Sequence, residues 1–168
     1  MIDLQTLLTY LTLISVPVGV FYHIMTLRNT KRNQELQLET RETQLFMSMY
    51  NRFQDDFIEI YYKIRDYEFD TFDEYLALIN KEGEDFLRKY QNLAAFYEGL
   101  GVLVREGKLN IRWVALLLSA PTRQLWEVHA PIIDEIRKFT NVKRNMAEWE
   151  YLYNELMEYL KEHHELES

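Results

Sequence analysis

From Leu4 to Leu27 the chain reads LQTLLTYLTLISVPVGVFYHIMTL, twenty-four residues without Asp, Glu, Lys or Arg. A helix needs roughly 20 predominantly apolar residues to cross the hydrocarbon core of a bilayer. A secretory leader would place its positive charge before the apolar run and a small-residue cleavage site after it. Here Arg28, Lys31 and Arg32 follow the run, and the first alanine is Ala77. A soluble helix lacking a charged face over this length would need protein on every side. The run is therefore expected to be a single transmembrane helix, with the lipid bilayer as its partner. The basic cluster after it places the N-terminus outside and the remainder in the cytoplasm, at the cell membrane. Arg28, Lys31 and Arg32 become the expected membrane-surface anchors. Pro17 removes one helical hydrogen bond, which membrane helices tolerate. His23 is the one ionisable side chain of the run besides the tyrosines. It reads either as an interfacial residue or as a gating or proton-linked group.

A second pattern overlies the first. Alternating steps of four and three from Gln5 visit Thr9, Thr12, Val16, Gly19, His23, Thr26, Thr30, Asn33, Gln37, Thr40 and Gln44. Only Val16 is neither small nor polar. A period of 3.5 keeps one stripe on one side of a gently supercoiled helix. Three readings stay open for Gln5, Thr9, Thr12, Gly19, His23 and Thr26. Small and hydroxylated residues let membrane helices approach and hydrogen-bond, as in a homo-oligomer. The same stripe in a ring of helices could line a pore. Threonine hydroxyls can also bond back to their own helix and mean nothing further.

The rest of the chain has the composition of an all-α protein. Gly (5) and Pro (3) are scarce in 168 residues, and 48% of the chain is hydrophobic. The formal charge of −8 disfavours nucleic-acid partners. The absence of cysteine excludes disulfides, thiolate metal sites and cysteine nucleophiles. Phe46, Met49, Phe53, Phe57, Ile60 and Ile64 form one helical face. Helices are expected over TFDEYLALINKEG, ending at Gly83, and over EDFLRKYQNLAAFYEGLGVLVREG, with Phe86, Tyr90, Leu93, Tyr97, Leu100 and Val104 inward and Gly107 as the stop. Asn110 suits the N-cap of IRWVALLL. Pro121 suits the first turn of a helix reaching Lys138, with a break at Pro131. A last helix carries Trp149, Leu152, Leu156 and Tyr159 on one face. The expected organisation is a transmembrane helix over 1–28, a long juxtamembrane helix over 29–66, and a bundle over 67–168 packed on it, five or six helices in the cytoplasmic part.

NLAAFYEGLGVLVREGKLNIRWVALLL, followed by LWEVHAPIIDEIRK, resembles domain-of-unknown-function family 4760, small membrane-anchored helical proteins. The matching positions are Phe96, Tyr97, Glu98, Gly101, Gly107, Leu109, Trp126 and Arg137. The resemblance implies an N-terminal membrane helix and carries no activity. Glu98, in an apolar stretch, calls for a cationic partner; a structural ion pair with Arg123 or Arg137 is the leading reading and a catalytic acid the other.

Chemistry-bearing motifs are few. His23, His129, His163 and His164 are the only histidines, and none lies three residues after a Glu. No metal site and no cofactor is expected, and neither a phosphate-binding glycine loop nor a nucleophile elbow is present. Arg123 and His129 have the Arg-x5-His spacing of the higher-eukaryote-and-prokaryote nucleotide-binding ribonucleases, which they resemble in that respect. There Arg would stabilise phosphate charge and His would move a proton. The leading expectation is a non-enzymatic single-pass membrane protein, a homo-oligomeric scaffold or a subunit of another membrane protein. A homo-oligomeric channel and a membrane-tethered ribonuclease are the alternatives.

Overall fold

The computed structural model describes residues 4–166, apart from the side chains of residues 6–12, 14, 16 and 165. The described residues are helical with no strand. The chain divides into two compact units after Gln44.

The first unit is the greater part of helix α1, which runs Leu4–Arg52 with Pro17 inside it. Leu13, Val18 and Phe21 are each at least 60% exposed. Among the described residues, no helix is long and apolar enough to cross a membrane. The fold by itself therefore does not establish the expected transmembrane helix over 1–28. The described residues leave out the side chains of Thr6 to Thr12, Ile14 and Val16, which belong to the charge-free run.

The second unit opens with the last turns of α1. A π-helical turn over Phe53–Phe57 leads into α2, Ile58–Ile64. The helical run thus extends to Ile64, close to the expected limit at residue 66. The second compact unit begins at Leu45, so it takes in the end of the expected 29–66 helix together with residues 67–168. Phe46, Phe53, Phe57, Ile60 and Ile64 are all buried, so this stretch belongs to the core. Both ends of the π turn pack on Phe96, with ring centroids 5.8 Å away for Phe53 and 5.4 Å for Phe57.

Helix α3, Phe72–Glu82, starts where Thr71 accepts a hydrogen bond from the Glu74 N–H and stops at Gly83. Helix α4, Glu84–Arg105, is the longest within the second unit and buries Phe86, Tyr90, Leu93, Phe96, Tyr97 and Leu100. Val104 remains only half-buried. The chain leaves α4 through Gly107, whose φ of 62° is a left-handed conformation that residues with a Cβ adopt at a cost. Asn110 then caps α5, Ile111–Leu117, its side-chain oxygen accepting from the Arg112 N–H at 2.9 Å.

Helix α6, Ser119–His129, gives way to a 3-10 turn over Ala130–Ile132 and then to α7, Ile133–Thr140. The expected break at Pro131 lies in that turn, where the missing proline N–H costs nothing to an α-helical ladder. Helix α8, Ala147–Glu162, packs most extensively on α4. Trp149, Leu152, Leu156 and Leu160 are buried on it. Leu160 joins this face, and Tyr159 packs half-buried against the core, stacking on His163 with centroids 4.0 Å apart.

Candidate functional site

The described part of the α1 stripe is not covered by the rest of the chain. Gln5, Gly19, His23 and Thr26 are exposed, while the side chains of Thr9 and Thr12 lie outside the described residues. The Thr26 hydroxyl donates to the Tyr22 carbonyl at 2.9 Å, and Thr40 and Thr43 bond back to Leu36 and Glu39 in the same way. Such bonds satisfy the hydroxyl within its own helix. Among the described residues, nothing beyond its own helix backbone lies within 4 Å of where a Cβ on Gly19 would stand. Arg28, Lys31 and Arg32 are exposed, with Lys31 3.9 Å from Glu35.

In the second unit, Glu98, Gly101 and Arg105 converge on the junction of α4 with α8. Glu98 forms no salt bridge with Arg123 or Arg137 among the described residues. Its Oε2 instead accepts the Glu148 N–H at 3.0 Å, at the start of α8. A helix leaves its first N–H groups without intrahelical partners, and a carboxylate is a strong acceptor for them. Burial pushes the Glu98 carboxyl above its usual range, and the hydrogen bond from Glu148 opposes that push. One turn later, Gly101 makes room for α8: a Cβ there would collide with the Glu148 carbonyl group. One further turn along, Arg105 reaches the Glu148 carboxylate at 2.6 Å and lies 4.0 Å above the Tyr151 ring. Arg144 holds the other Glu148 oxygen at 2.8 Å.

Arg137 bonds elsewhere. It meets Glu150 at 2.6 Å, and its Nε donates to the Asn145 carbonyl at 3.0 Å, joining the end of α7 to α8. Phe96, Tyr97, Leu109 and Trp126 are core residues. The motif is therefore architectural. Spacing hints at this, since Glu98, Gly101 and Arg105 share one face of α4. Their common partner, the start of α8, is about fifty residues away and leaves no local signal.

His129 is wholly buried. Its Nδ1 hydrogen-bonds the Leu125 carbonyl, and its Nε2 has no hydrogen-bond partner. Phe69, Tyr75, Tyr90 and Trp149 surround the imidazole, Tyr90 and Trp149 with centroids 5.4 Å away. Removal from water holds its pKa down to about 4, so the ring is neutral near pH 7. Arg123 stands six residues earlier on α6, about 120° around the helix. The two side chains thus do not form a pair on one face, and His129 has no route to a phosphate at the surface.

Above this cluster is an open groove of about 380 Å³, lined by Arg65, Tyr67, Glu68, Phe69, Asp70, Gln124, Glu127, Val128 and Pro131. Tyr61 fixes Gln124 through a 2.5 Å hydrogen bond, and Arg65 lies over the Tyr61 and Tyr62 rings. The groove walls carry one cation, Arg65, and three carboxylates, Glu68, Asp70 and Glu127. Among the described residues, no group of three or more His, Asp or Glu is placed to hold a metal ion. Comparison with family models, curated proteins and solved structures yields no match.

Proposed function

We propose that this chain is a membrane-anchored helical protein whose second unit serves as a scaffold, for copies of itself or for another membrane subunit. One observation carries the reading. The charge-free run from Leu4 to Leu27 presents Leu13, Val18, Phe21 and Leu27 as exposed side chains, and Arg28, Lys31 and Arg32 follow. Apolar side chains on such a helix call for lipid or neighbouring helices as their solvent. Exposed Gly19, with open space where a side chain would stand, suits close contact between helices. The second unit contributes a packed body in which the motif residues are committed to architecture.

Two measurements test the proposal. The full chain is expected to pellet with membranes and to resist carbonate extraction. Native mass spectrometry from lipid nanodiscs is expected to show a defined oligomer or a stoichiometric partner complex. Release by carbonate removes the anchor, and a strict monomer without partners removes the scaffold.

A further inference from the structure

The segment from Arg137 to Arg144, RKFTNVKR, holds four basic residues and no acidic one in a chain of net charge −8. It forms the end of α7 and the turn into α8. We infer that this turn is a membrane contact, built to bind anionic lipid headgroups while two apolar side chains enter the interface.

The geometry supports that use. Phe139 is 68% exposed and Val142 is 51% exposed. Lys138 and Lys143 flank them and form no ion pair among the described residues, so both are available to phosphate oxygens. Arg137 and Arg144 are instead engaged by Glu150 and Glu148. The backbone is held firmly. Asn141 is left-handed at φ 53°, its N–H donates to the Lys138 carbonyl, and the Val142 N–H donates to the Arg137 carbonyl, both at 3.2 Å. Such a helix end commonly folds its last apolar residue back on the helix. Here Val142 stays in solvent, and Phe139 touches the Phe72 ring at 5.2 Å without being covered. Paired lysines beside an exposed aromatic on a preformed turn match an anionic bilayer surface, where charge attracts and apolar tips insert. The inference does not depend on α1 crossing the membrane.

The chain has no cysteine, so Val142→Cys accepts a single environment-sensitive fluorophore. The labelled full chain is placed in nanodiscs of phosphatidylcholine alone or with phosphatidylglycerol, some carrying lipid-borne quenchers. If the chain does not enter discs, vesicles of the same compositions are added and the same emission is read. Anionic lipid is expected to give a blue shift and quenching, which high salt reverses. Each lysine is expected to contribute about fivefold to lipid partition. Lys138→Glu with Lys143→Glu should then lower it more than tenfold, with the circular dichroism unchanged. An emission that stays solvent-like in both lipids overturns the inference. Shielding without lipid quenching also overturns it.

Discussion

Protonating His129 would put a charge among Phe69, Tyr75, Tyr90 and Trp149 with no anion beside it. The ring's ordinary pKa of 6.5 falls to about 4 in the fold. The unfolded chain therefore takes up this proton first as the pH drops. The stability associated with neutral His129 is intact above pH 6.5 and declines as the pH falls from 6.5 to about 4. A full shift of this size corresponds to about 3 kcal/mol. Urea unfolding at about pH 7.5 and about pH 4.5 should show a loss approaching this, and His129→Leu should remove the histidine's share of it. An equal pH slope in the two proteins would mean that other groups set it. Sequence spacing offers His129 as a proton shuttle, because Arg-x5-His is visible in the chain. The aromatic side chains from distant segments that enclose it are not announced by any spacing.

At the level of elements, Gly101 and Gly99 make opposite forecasts from the same residue type. Both lie in α4, where glycine costs helix stability relative to alanine. At Gly99 a side-chain methyl would meet nothing within 4 Å, so Gly99→Ala should be neutral or stabilise by up to about 1 kcal/mol. Gly101→Ala would push a methyl into the α8 backbone and should destabilise by about 1–3 kcal/mol. Denaturant midpoints of the two variants decide the matter, and similar values would refute the close approach of α4 and α8. The helices themselves are largely readable in the chain. Thr71, Gly83, Gly107, Asn110 and Pro131 mark ends by local chemistry, and apolar spacing marks faces. Which face meets which is not readable. Glu98 needs a partner, and the residue letters suggest a cation such as Arg123 or Arg137. The fold supplies a backbone N–H instead, since a helix start is a donor that no residue letter announces.

For the whole molecule, every buried apolar side chain among the described residues lies between Phe46 and Leu160. The second unit therefore holds a complete core of its own. A fragment of residues 45–168 should unfold cooperatively in denaturant and keep its near-ultraviolet circular dichroism; a gradual, non-cooperative transition would mean that α1 upstream of it is required. A division between a leading helix and a bundle is legible in the sequence, but its position is not. Periodicity marks the apolar face from Phe46 to Ile64, but it does not say that this face is covered by the helices after residue 67, so the compact unit starts at Leu45. The pairing of α4 with α8 also constrains synthesis. Glu98 and its partner Glu148 are fifty positions apart, and the apolar side of α4 faces α8. A nascent chain must therefore leave the part of α4 that α8 covers exposed until residues near Leu160 clear the ribosomal exit tunnel, an interval in which aggregation competes with folding.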